Sequence, residues 1–108
     1  MTITIGPLTG AEIHAALDDL ARLRIAVFAA WPYLYDGDPG YEADYLKEFV
    51  AAPDAVLVAA VDAGRIVGAA TASPMAAQKA EFRQPFEDRG IATADLFYFG
   101  ESVLLPEY

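Results

Sequence analysis

Residues 96–108, Leu-Phe-Tyr-Phe-Gly-Glu-Ser-Val-Leu-Leu-Pro-Glu-Tyr, constrain the fold of this chain more than any other stretch. Aromatic, β-branched and aliphatic side chains follow one another closely enough to predict a central strand. Gly100 and Glu101 interrupt it. A glycine inside a strand marks a bulge or a close approach of another backbone, and a carboxylate among apolar neighbours needs either a partner or a task.

Upstream, the hydrophobic pattern divides the chain cleanly. Thr2–Ile5 alternates and predicts a first strand ended by Gly6-Pro7. Thr9 and Glu12 have the capping-box spacing of a helix start. Ile13, Leu17, Leu20, Leu23, Val27 and Phe28 then form one apolar stripe, with Asp18 and Arg22 placed to pair across one turn. Residues 31–40 crowd aromatics, prolines and glycines into a shaped loop. Asp38-Pro39 suits an N-cap and first helical position, and Tyr41, Tyr45, Leu46 and Phe49 mark a second helix. Val56–Val61 is a continuous apolar run, expected of a strand covered on both faces. Asp62-Ala63-Gly64-Arg65 predicts a hairpin turn and Ile66–Ala72 the returning strand, stopped by Pro74. The polar segment 75–90 predicts short helical turns around Pro85 with a stop at Gly90, and the last strand begins near Asp95.

A chain of 108 residues makes a single domain. Seven basic against sixteen acidic residues give a formal charge of −9, which repels phosphate backbones and anionic lipid, so neither nucleic acid nor a membrane surface is an expected partner. With no cysteine there is no disulfide, thiolate metal site or cysteine nucleophile. His14 is the sole histidine and lacks companion ligands for a metal, so no metal is expected. With serine only at positions 73 and 102 and that one distant histidine, a hydrolase triad is not expected either. The amino terminus lacks the basic start and apolar core of a signal peptide, and no apolar run approaches the roughly 20 residues that span a bilayer; the expected location is cytoplasmic.

The order strand, helix, helix, strand, strand, short helix, strand, together with Glu101-Ser102-Val103-Leu104-Leu105-Pro106-Glu107-Tyr108, resembles the first part of the GNAT N-acetyltransferases, with a helical excursion before the last strand. In that family a hydrophobic run and Pro-Glu-Tyr lead into an Arg/Gln-Gly-x-Gly loop. The resemblance implies an α/β (α+β) fold of β1-α1-α2-β2-β3-β4 order with a mostly antiparallel sheet. It makes residues 1–108 a single, partial acyltransferase domain truncated after β4. It also implies acetyl-CoA as co-substrate and an amine as acceptor, either a small molecule or a protein or peptide amine. The backbone around Val103, Leu104 and Leu105 corresponds to the part of β4 that holds the pantetheine arm, and Gly100 to the bulge that opens the strand for the cofactor.

Within that frame Glu101 is the candidate general base, since attack on a thioester needs a neutral amine and a group to take its proton. Phe97, Phe99, Val103 and Leu105 share its face by simple alternation, an apolar setting that raises a carboxylate's proton affinity. The competing expectation is a carboxylate paired with a helix arginine such as Arg24, or one reaching solvent. Tyr98 is the second catalytic candidate, reaching the same cleft only if a bulge at Gly100 alters the alternation. Trp31, Tyr33, Tyr35, Asp36 and Tyr41 lie in the region that borders the acceptor site in the family, and aromatics beside an acid suit a cationic amine. The alternative function is a non-catalytic GNAT-like module that binds a ligand or protein through the open β4 edge, with a homodimer or a missing C-terminal half as its partner.

Overall fold

The hydrophobic periods resolve into four strands and three α-helices in a computed structural model that describes residues 2–108. Strand β1 spans Ile3–Leu8, helix α1 Ala11–Phe28, helix α2 Pro39–Ala51, strand β2 Val56–Asp62 and strand β3 Arg65–Pro74. Helix α3, Ala80–Glu87, and strand β4, Phe97–Leu104, follow, with short 3₁₀ turns at Met75–Ala77 and Thr93–Asp95. The strands lie in the order β1-β2-β3-β4, and every neighbouring pair is antiparallel. The architecture is α+β.

Local chemistry accounts for the boundaries. The Asp38 carboxylate accepts from the Gly40 and Tyr41 amides at 2.9 and 3.2 Å and caps α2, with Pro39 in the first helical position. Ala63 and Gly64 both take left-handed backbone angles, φ 50 and 79, as a tight two-residue hairpin turn requires.

Several expectations need correction. Strand β1 does not stop at Gly6-Pro7 but runs on to Leu8; it is an edge strand, where a residue without an N–H is tolerated. The capping box does not form, because Gly10, at φ 55, occupies the cap position and leaves Thr9 one residue outside, contributing only its carbonyl to the Glu12 amide at 3.1 Å. Arg22 pairs with Asp19 three residues away, not with Asp18. Residues 80–87 form one helix that continues through Pro85.

The core lies on one face of the sheet. Leu20 from α1, Leu57 from β2 and Val67 from β3 are wholly buried, and Ile13, Leu23, Leu46, Phe49, Val103 and Leu105 join them. The opposite face is not covered as the apolar run of β2 suggested: Val56 and Val58 are half-buried there, and Ile5, Phe97, Phe99 and Leu104 are exposed.

The bulge in β4 decides what faces the helices. Thr71 pairs with Glu101 and the next residue, Ala72, with Phe99, so Gly100 is the extra residue. That one residue shifts the phase of the strand. Tyr98, Glu101, Val103 and Leu105 point to the helix side, whereas Phe97 and Phe99 point away, Phe99 with 81% of its surface exposed. Phe97 and Phe99 therefore do not share the face of Glu101, contrary to simple alternation. This arrangement has a direct test by urea unfolding. Leu20→Ala is expected to cost about 2–5 kcal/mol and Phe99→Ser no more than about 0.5 kcal/mol; comparable losses would place Phe99 in the core.

Candidate functional site

The helix side of β4 holds a buried charge network that ties α1, α2, β3 and β4 together. Arg24 of α1 donates from Nε to Glu42 Oε1 at 2.6 Å and from Nη1 to Glu101 Oε1 at 2.5 Å. The second oxygen of Glu101 accepts from the Tyr45 and Thr71 hydroxyls, each at 2.7 Å. Tyr35 donates to Glu42 Oε2 at 3.1 Å. The three charged side chains are each less than one-tenth exposed, and every buried side-chain polar atom among the described residues has a partner.

The electrostatics follow from this geometry. Burial works against the charge on Arg24, but the hydrogen bonds and negative charges of Glu42 and Glu101 more than offset it and hold the guanidinium pKa above its usual value. Its carbon sits 4.1 Å from the centre of the Tyr45 ring, a cation–π contact that adds to the clamp. Burial, followed by donation to Glu101, pushes the Tyr45 phenol well above the ordinary tyrosine range, so Tyr45 stays a donor. With one cation and two carboxylates, the cluster carries one net negative charge.

Beside the network lies a cleft of about 710 Å³ that five of the six tyrosines share in lining: Tyr33, Tyr35, Tyr41, Tyr45 and Tyr98. Arg24, Asp38, Gly100, Glu101 and Ser102 complete much of its wall. Tyr41 and Tyr45 are stacked, ring centres 6.5 Å apart, and Tyr35 meets Tyr41 edge-on. Of the residues singled out from sequence, Glu101, Tyr98, Tyr33, Tyr35 and Tyr41 come together here. Trp31 and Asp36 are exposed and do not line the cleft.

Val103 and Leu105 are buried in the core, and Leu104 is half exposed on the outer face. The Leu105 amide donates to the Val67 carbonyl at 3.0 Å. By the two-residue alternation of an antiparallel ladder, the backbone groups of Leu104 and Ser102 therefore face the unpaired edge of β4. Any extended backbone added to this edge would meet Ser102 and Leu104 first.

Sequence reasoning missed Glu42, Tyr45 and Thr71 as members of the site and held Arg24 only as a competing partner for Glu101. The signal was present. Arg24 stands between Leu20 and Phe28 at four-residue intervals, and Glu42 stands four before Leu46, so each charge occupies a position of an apolar stripe. A charge in such a position has to be paired.

Among the described residues no three potential metal ligands come together, and no helix is long and apolar enough to cross a membrane. The raised Tyr45 pKa predicts an alkaline signature. A phenol whose folded pKa exceeds its unfolded value of 10.0 stabilises the fold fully below that pH and loses the contribution as pH rises through the folded value. Tyr45→Phe should cost about 1 kcal/mol at neutral pH and flatten the fall of stability above pH 10; an unchanged alkaline slope in urea unfolding would separate Tyr45 from this network. In comparisons with protein-family models, curated proteins and solved structures, the chain matches none.

Proposed function

We propose that the chain is an N-acetyltransferase of GNAT type, or the acceptor-binding part of one, which moves an acetyl group from acetyl-CoA to an amine seated in the tyrosine-lined cleft. The bulge at Gly100 carries this reading, because it brings Glu101, Tyr98 and the unpaired edge of β4 to one place. An edge with a row of free N–H and C=O groups suits an extended, amide-bearing arm such as that of acetyl-CoA, with Ser102–Leu105 as the segment that would hold it. The donor supplies an activated thioester.

The remaining work falls to the chain's own side chains. The amine nitrogen attacks the carbonyl carbon, a C–N bond forms as the C–S bond breaks, the nitrogen gives up a proton and the departing sulfur takes one. Glu101 is the proton acceptor in this scheme. A carboxylate offers about four acceptor positions; Arg24, Tyr45 and Thr71 use three and fix its orientation, leaving one on Oε1. Tyr98, across the bulge, orients the acceptor, and the other tyrosines surround an ammonium with ring faces that favour it.

Titration calorimetry with acetyl-CoA tests the donor half of the proposal: binding is expected, and no heat at millimolar ligand overturns it for this chain. Glu101→Gln should lower acetyl transfer by about 10²–10⁴-fold, and undiminished transfer would remove Glu101 from the mechanism.

A second reading, a non-catalytic module that pairs with a partner through the β4 edge, is favoured by the exposure of Phe97, Phe99 and Leu104 beside that edge. It requires concentration-dependent association in sedimentation velocity together with no response to acetyl-CoA.

A further inference from the structure

The tyrosine-lined cleft does not end at Gly100. A second cavity, of about 390 Å³, opens beyond it between α2, β3 and the start of α3. Both cavities are lined by Tyr41, Tyr45, Tyr98 and Gly100, so they adjoin, with those aromatic rings as the waist between them. Only glycine fits at position 100, where the Thr71 and Tyr45 hydroxyls pack directly over the backbone: a Cβ there would lie 2.7 Å from Thr71 Oγ1 and 3.3 Å from the Tyr45 hydroxyl.

The charges are disposed at the two ends. The first cavity is lined by Asp38, Glu101 and Arg24, two carboxylates and one cation, which leaves one net negative charge. The second is lined by Glu48, Glu81 and Lys79, again two carboxylates and one cation, and again one net negative charge. Lys79 offsets its neighbours weakly, since it meets Glu48 only at 4.0 Å with both side chains more than 60% exposed. Between the ends stand ring faces, apolar and attractive to cations, and Phe49 and Phe82 extend that apolar lining into the second cavity.

We infer that this cleft takes a linear organic dication, two ammonium groups joined by an alkyl spacer. One ammonium occupies the end beside Glu101 and Asp38, the other occupies the end beside Glu48 and Glu81, and the spacer lies across the tyrosine waist. A monoamine satisfies one end and leaves the other carboxylate pair unmatched. An amino acid or acidic peptide sets its own carboxylate against one of the pairs. A dication alone matches both ends and the waist. As the identity of the acceptor amine this rests on the transferase reading above; as a binding preference it stands without it.

The test is direct binding in the absence of any acyl donor, at low salt. Each α,ω-diamine from 1,4-diaminobutane to 1,8-diaminooctane is titrated against the monoamine of equal chain length. At least one diamine is expected to bind about tenfold tighter than its monoamine, beyond the twofold factor that two equivalent ends supply. The preference should collapse in the E48Q/E81Q double variant, whose substitutions sit on exposed helix positions, with an unchanged melting curve confirming the fold. A preference of twofold or less, a preference that the double variant retains, or no diamine binding at all overturns the proposal. Because no donor is present, these outcomes are read independently of whether acetyl-CoA binds.

Discussion

The Arg24 guanidinium, buried between Glu42 and Glu101, is the interaction on which the rest of the site depends. It joins α1 to α2 through one carboxylate and α1 to β4 through the other. A buried ion pair gives little net stability over an apolar equivalent, because desolvation of the charges consumes most of the attraction, yet losing one partner strands the remainder at a cost of about 3–5 kcal/mol. The cluster therefore specifies an arrangement more than it strengthens a core. Apolar contacts between Leu20, Leu57 and Val67 would tolerate small slides of helix on sheet; the forked hydrogen bonds of Arg24 would not.

The cleft inherits its chemistry from that arrangement. With its charges fixed by covered donors, the network contributes a standing negative field to a cavity whose walls are largely tyrosine. Tyr33 and Tyr41 are more than half exposed, so an entering cation meets this field partly screened by water. The hydroxyls contribute as well as the rings: Tyr35 and Tyr45 both donate to the network carboxylates, so the wall and the charges behind it are one hydrogen-bonded body.

Much of the fold was legible in the sequence because it rests on short-range rules. The stripe of α1, the Asp38-Pro39 start of α2 and the Asp62–Arg65 turn are each set by neighbours in the chain. The errors arose where a tertiary circumstance intervened. Pro7 is acceptable because β1 lies at an edge, and the outer face of β2 is half open because the helices gather on one side. The site was legible in part for the same reason. Tyr33, Tyr35, Tyr41, Tyr98 and Glu101 could be named from type and region, but that Arg24, Glu42 and Thr71 meet Glu101 depends on contacts between residues up to 77 positions apart. What could have been drawn from sequence alone was narrower: a charge standing in an apolar stripe demands a buried partner.

The extra residue at Gly100 makes β4 a strand of two phases, with the tyrosine of one half and the carboxylate of the other in register on the same side. Its pairing phase is consequently as constrained as its composition. Pairing Gly100 into the ladder would restore strict alternation and exchange the environments of Tyr98 and Phe99 together, sending a phenol to solvent and a phenyl ring into the cleft. What holds the site in phase is thus the exclusion of Gly100 from the ladder, where a Cβ would lie 2.7 Å from Thr71 Oγ1.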